Sequence, residues 1–133
     1  IVADGEGATK VVDVVVDGAA DDASALRIAR AVAESPLVKT AIHGEDPNWG
    51  RIAAAMGRSG GYGGGPFAIE VDGVEIVREG LAVGPDAEAR AHEVMRGREY
   101  AIRIRLAEGE GTATVTTCDL SAEYVRINAD YRS

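Results

Sequence analysis

The chain has 133 residues, the length of one ordinary domain, and its 14 Lys and Arg against 22 Asp and Glu give a net charge of −8 at pH 7. With 46% hydrophobic and 27% charged residues, the composition is that of a globular domain with a core and excludes a disordered chain. The excess negative charge would repel phosphate backbones and anionic lipid surfaces, so nucleic-acid and membrane-surface binding are not expected.

Cysteine usage and hydropathy indicate the compartment. Cys118 is the single cysteine, which rules out an intramolecular disulfide and a Cys-rich metal site and is typical of a cytoplasmic protein. No apolar stretch approaches the length needed to span a bilayer, and the first residues lack the features of a signal peptide. Because the chain opens with Ile1 and not with Met, we expect a processed product or a piece of a longer chain.

A mostly buried strand is predicted over residues 9–16, TKVVDVVV, which are rich in β-branched side chains. Alternation places Val12 and Val14 on one face and Val11 and Val15 on the other. Since both faces carry valine, we expect this strand to expose a large apolar surface meant for the rest of a larger protein.

A helix follows, capped by Asp21 or Asp22 and ended by Pro36. Residues 37–42 (LVKTAI) are expected to extend again. The run HGEDPNWG then forms a turn, in which Asn48 caps a short helix over residues 49–56.

The second half of the chain begins with the glycine-rich segment SGGYGGGP, residues 59–66, which is predicted to be a mobile, solvated loop. It lacks the Lys of a phosphate-binding loop. The elements predicted after it are a hairpin of residues 67–71 and 74–78 about Asp72-Gly73, a helix from Gly84-Pro85-Asp86 to about residue 96, and strands over residues 100–106 and 112–117.

This order of elements predicts an α+β fold: a largely antiparallel sheet with two main helices packed on one face and a short third helix. We expect residues 1–133 to form one domain and the segment 123–133 to be pinned to its body by Tyr124, Val125 and Ile127.

The sequence pattern alone gives only weak signs of a catalytic site. His43 lies beside Glu45 and Asp46, but no second histidine stands at ligand spacing, so we interpret the segment as a turn and not as a metal or acid–base site. Neither Ser59 nor Cys118 has a nearby base or a hydrolase elbow.

Three blocks of sequence carry a resemblance to a known family. DGEGATK, SPLVKTAIHGEDPNWGRIAAAMGRSG and CDLSAEYVRINADYRS begin at residues 4, 35 and 118. In this order and spacing they resemble the C-terminal part of the β chain of the ornithine acetyltransferase family, also called bifunctional glutamate N-acetyltransferase.

The resemblance implies an enzyme of arginine biosynthesis, made as one precursor that cleaves itself before a threonine. That threonine then carries the acetyl group from N-acetylornithine to glutamate, with no metal or organic cofactor. The implied partners are the α chain and the remainder of the β chain, in an αβ hetero-oligomer.

The family's cleavage motif, Ala-Thr-Met-Leu, does not occur in this sequence. We therefore expect the nucleophile to lie upstream and this chain to be inactive by itself. The threonines so excluded are Thr9, Thr40, Thr112, Thr114, Thr116 and Thr117.

Three substrate-binding residues follow from the resemblance. Glu6, between Gly5 and Gly7, matches a glutamate that would pair with a substrate ammonium, or else it is a turn residue. Asn128 matches a substrate-binding asparagine, or else it fixes the tail. Ser133 matches a substrate-contacting Ser or Thr at the family's last position, provided that Ser133 is the native C-terminus.

Two other functions remain open. A small α+β domain of this kind could be a stand-alone amino-acid-binding regulatory module, or the chain could be a degradation product without a function of its own. Binding of an amino acid by the isolated domain would favour the regulatory module.

Overall fold

The computed structural model describes residues 9–120. Its elements in chain order are β1 (Val11–Ala19), α1 (Asp22–Glu34), α2 (Pro36–His43), α3 (Trp49–Gly57), β2 (Phe67–Val71), β3 (Val74–Arg78), β4 (Leu81–Ala82), α4 (Pro85–Met95), β5 (Glu99–Leu106) and β6 (Gly111–Cys118). The predicted α+β class is confirmed. Within this part of the chain, no helix is long and apolar enough to cross a membrane.

The six strands of the described region form one sheet in the order β4-β3-β2-β5-β1-β6. Every neighbouring pair is antiparallel except β1 and β5, which run parallel with Val12 opposite Tyr100 and Val14 opposite Ile102. The sheet is therefore largely antiparallel, as predicted, with one parallel pair that lies next to the edge strand β6.

The core lies on the face of the sheet that the helices cover. α1 packs on β1 and β6, and α4 packs on β2, β3 and β5. Val12, Val14 and Val16 of β1 are fully buried there. The Thr117 hydroxyl of β6 donates to the Ala33 carbonyl (2.7 Å), which joins this face to the end of α1.

The other face of β1 is lined by polar and charged side chains. Asp13 accepts a hydrogen bond from the Thr116 hydroxyl (2.6 Å), and Asp17 pairs with Arg103 (2.7 Å). Val11 and Val15 are half-buried between these groups. The expectation of a large exposed apolar surface on this strand is wrong for the described residues, because neighbouring strands supply charged and hydroxyl side chains.

Residues 37–42 are helical, so the prediction that they extend is wrong. Pro36 ends α1 but also starts α2, since its fixed φ suits the first position of a helix. The Ser35 side chain caps α2 by accepting from the Val38 N–H (3.3 Å). Ala41 and Ile42 then face the core with Val38, at the spacing of a buried helical face.

The glycine-rich segment is irregular, as predicted, but is anchored and not a free linker. The Glu108 carboxylate accepts hydrogen bonds from the N–H groups of Gly63 (3.0 Å) and Gly65 (3.2 Å). The Tyr62 ring meets Phe67 edge to face, with centroids 6.0 Å apart.

Candidate functional site

The three substrate-binding residues expected from the resemblance, Glu6, Asn128 and Ser133, lie outside the described residues. The described segments that border them meet in the fold. Thr9 belongs to the first resembling block, three positions after Glu6, and it lies beside Asp119 of the third block. His43 of the second block reaches the same carboxylate.

Asp119 is fully buried and its carboxylate accepts four hydrogen bonds. Oδ1 accepts from the backbone N–H groups of Thr9 (2.6 Å) and Lys10 (2.8 Å). Oδ2 accepts from the Thr9 hydroxyl (2.7 Å) and lies 2.6 Å from His43 Nδ1. Because an ionised carboxylate can only accept, His43 must carry its proton on Nδ1. We call Thr9, Lys10, His43 and Asp119 the Asp119 clamp.

These hydrogen bonds keep Asp119 ionised although it is buried. Burial by itself raises the pKa of a carboxyl group, and here it is the largest single influence. The hydrogen bonds from the Thr9 hydroxyl, the Lys10 N–H, His43 and the Thr9 N–H together outweigh it and hold the pKa of Asp119 below its ordinary value of 3.8. The clamp therefore contains a buried negative charge that is fully hydrogen-bonded.

Lys10 links the clamp to the end of α4. Its side chain is 8% exposed, and Nζ donates to Glu45 Oε2 (2.9 Å) and to the backbone carbonyls of Arg96 and Gly97 (3.0 Å each). All three donors of the ammonium group are thus used. The hydrogen bond from Lys10 lowers the pKa of Glu45, against a smaller opposing effect of burial.

Tyr100 lies near these charges on the covered face of β5. It is 6% exposed, and its hydroxyl has no hydrogen-bond partner within residues 9–120. Burial raises the pKa of Tyr100, and the negative charges of Asp119, Glu45 and Asp72 raise it further. Tyr100 is therefore a neutral phenol.

The clamp does not form an activated nucleophile. The Thr9 hydroxyl donates to Asp119 and not to a histidine, and a carboxylate with a lowered pKa is a weak base. Four other threonine hydroxyls are also donors to nearby oxygens, namely Thr40 to Pro36, Thr112 to Asp17, Thr116 to Asp13 and Thr117 to Ala33. Residues 9–120 contain no group of three or more His, Cys, Asp or Glu that could hold a metal ion.

The turn after α2 has the structural role expected of it. Asn48 caps α3 by accepting from the Arg51 N–H (3.2 Å), and the Arg51 guanidinium donates to the Leu37 carbonyl (2.9 Å). His43, which the sequence pattern marks only as a turn residue, also has the contact with Asp119. Sequence reasoning misses Asp119 itself, because its partners Thr9 and Lys10 lie about 110 positions away and only its place in a resembling block marks it.

Comparison with known proteins defines the class. The family model described as the ArgJ family matches residues 1–133, and the chain therefore belongs to the ArgJ family. It is 52% identical to the arginine biosynthesis bifunctional protein ArgJ of Syntrophotalea carbinolica and 54% identical to that of Geobacter sulfurreducens. All of this chain is aligned in both comparisons, but it spans only 34% of each relative's length.

A solved structure has the same fold. The crystal structure of the arginine biosynthesis bifunctional protein argJ from Bacillus halodurans matches 98% of this chain with a TM-score of 0.86 and 39% identity. The match covers 62% of that protein's chain.

Proposed function

We propose that this chain is the C-terminal part of the β chain of an acetyltransferase that moves an acetyl group from N-acetylornithine to glutamate in arginine biosynthesis. The observation that carries the proposal is the ArgJ family match over all 133 residues, together with relatives about 50% identical that are named bifunctional proteins of arginine biosynthesis. The convergence of all three resembling blocks at Asp119 supports it, since these blocks are far apart in the sequence.

In the proposed reaction a threonine upstream of this chain attacks the acetyl carbonyl of N-acetylornithine. The carbon–nitrogen bond breaks, ornithine leaves with the threonine's proton, and the acetyl group stays on the threonine oxygen. The amine of glutamate then attacks the acyl-threonine, forms N-acetylglutamate and returns a proton to the threonine. No metal or organic cofactor enters this scheme.

The complete enzyme would consist of an α chain and a β chain produced by self-cleavage of one cytoplasmic precursor, with this chain contributing to the substrate pocket. Glu6 would pair with the substrate ammonium, and Asn128 and Ser133 would hydrogen-bond its polar groups. Since the nucleophile lies upstream, the 133 residues alone would have no activity.

The test uses the complete precursor of this protein beside the isolated chain, with ornithine release from N-acetylornithine measured in the presence of glutamate. We expect turnover by the processed precursor and none by the chain alone. Turnover by the purified chain would refute the upstream nucleophile. An isolated chain that binds an amino acid, with a precursor that does not transfer acetyl groups, would favour the regulatory module.

Glu6→Gln in the precursor tests the site. Losing one charge-assisted hydrogen bond in a shielded site costs about 1.5–3 kcal/mol, which lowers kcat/KM roughly 10- to 150-fold. Glu110→Gln is a matched control, because Glu110 also stands between two glycines, Gly109 and Gly111, and is exposed in the turn before β6. We expect less than a twofold change for Glu110→Gln. An equally small change for Glu6→Gln would remove Glu6 from the site.

A further inference from the structure

The Asp119 clamp joins the two ends of the described chain. Thr9 and Lys10 stand just before β1, and Asp119 follows β6 directly. Besides the carboxylate's hydrogen bonds, the Asp119 N–H donates to the Lys10 carbonyl (3.4 Å) and the Leu120 N–H donates to the Lys39 carbonyl of α2 (3.2 Å). One side chain thus fixes the points at which both terminal segments leave the sheet.

We propose that Asp119 is a positioning residue for the substrate pocket: it holds Thr9 and its own segment against His43, and so fixes the two points, Thr9 and Leu120, from which the sequence continues to Glu6 and to Asn128. This inference rests on the proposed function, which places Glu6 three positions before Thr9 and Asn128 nine positions after Asp119. Asp119 acts through these residues and touches no substrate itself.

The chemistry of the clamp favours this role over a purely stabilising one. A buried carboxylate is costly unless it is hydrogen-bonded, and replacing a whole buried polar cluster by apolar residues is often neutral or stabilising. A carboxylate, however, can receive two backbone N–H groups, a hydroxyl and an imidazole at once, each with a preferred direction. The result is a fixed geometry at one point in the fold, which substrate contacts on two separate segments require.

The experiment compares Asp119→Asn with Glu108→Gln in the complete precursor. Glu108 is a matched control, because it too is a carboxylate that accepts backbone N–H bonds, from Gly63 and Gly65. It lies at the opposite end of β1, where its own N–H donates to the Gly18 carbonyl (2.8 Å). Steady-state kinetics are measured with N-acetylornithine and with glutamate. Rates are expressed per active site, and the active sites are counted from the burst of ornithine released when the enzyme is first acetylated.

For Asp119→Asn we expect KM to rise about tenfold or more for both substrates, with a smaller change in kcat, because substrate contacts on both segments move. For Glu108→Gln we expect kcat and KM per active site within about twofold of the wild type, even if its unfolding midpoint falls. Equal kinetic effects of the two variants, or an unchanged KM in Asp119→Asn, would overturn the inference.

A second pair of variants tests the positioning role of Asp119 if Asp119→Asn does not fold. Thr9 is exposed, so Thr9→Val removes the hydroxyl donated to Asp119 with little change in packing, whereas Thr9→Ser keeps it. We expect Thr9→Val to raise KM about three- to tenfold and Thr9→Ser to restore it. Equal KM values for the two variants would count against the clamp's role.

The wild-type precursor separates this inference from the function on which it rests. A wild type without acetyl transfer refutes the proposed function, and the inference with it. An active wild type with kinetically silent clamp variants refutes the inference alone.

Discussion

Gly18 lies where β1 bends out of register with β6, and its replacement by alanine provides a quantitative test of the fold. Its φ is +77°, and a Cβ at this position would lie 2.0 Å from the backbone carbonyl oxygen of Leu106. The Gly18 carbonyl also accepts the N–H groups of Glu108 (2.8 Å) and Gly109 (3.1 Å), which hold the turn between β5 and β6.

The cost of Gly18→Ala has two parts. An alanine in the left-handed region loses about 1 kcal/mol. The clash with Leu106 forces the β5 end and its turn to move, which weakens two backbone hydrogen bonds worth about 1 kcal/mol each. We therefore expect the free energy of unfolding to fall by about 3 kcal/mol, and the urea midpoint by about 2 M, measured by circular dichroism.

Two other glycines separate these effects. Gly60 has φ +79° and nothing lies within 4 Å of the place that a Cβ would occupy, so Gly60→Ala should lose only about 1 kcal/mol. Gly57, the last residue of α3, also has open space and no positive φ, so Gly57→Ala should stabilise the chain by up to about 1 kcal/mol. Equal losses for Gly18→Ala and Gly60→Ala would refute the close approach between β1 and β5.

The remaining predictions concern the charged groups near the clamp. Lys10→Met should lower the free energy of unfolding by about 2–3 kcal/mol, because two backbone carbonyls lose a charged donor. Arg96→Met removes only an exposed ion pair and should lower the free energy of unfolding by less than about 0.5 kcal/mol in the same urea assay. Equal losses would contradict the burial of Lys10. The chain should also lose stability as the pH falls below about 4, because the pKa of Asp119 is lower in the folded than in the unfolded state. The stabilisation from the ionised carboxylate is complete above the unfolded-state pKa, and it is lost as the carboxyl group protonates in the folded state. Urea midpoints measured at several acidic pH values should fall less steeply with pH in Asp119→Asn than in the wild type. An equally steep fall in the variant would exclude Asp119 as a source of the acid sensitivity.

Local patterns in the sequence are sufficient for several elements. The hairpin of β2 and β3 has the predicted bounds, because Asp72-Gly73 specifies a two-residue turn and the flanking residues alternate. α1 and α4 begin near their predicted caps for a similar reason, since Asp21 and Pro85 each act within the first turn of their helix.

The error at α2 shows where local patterns are ambiguous. Residues 37–42 are short and apolar, and periodicity in so short a run does not distinguish a strand from a buried helix. Packing decides between them, because Val38 and Ile42 are buried together on one helical face. Pro36 correctly predicts the end of one helix, but the start of the next depends on the Ser35 cap.

The sequence by itself thus determined the fold class, most elements and, through the resembling blocks, the family. The parallel pairing of β1 with β5 and the Asp119 clamp were decided only by the tertiary structure. Their partners are separated by 76 to 110 positions, and a hydrogen bond between distant residues leaves no periodic or turn signal in the chain. Asp119 looks like an ordinary polar residue after a strand until the fold brings Thr9, Lys10 and His43 to its carboxylate.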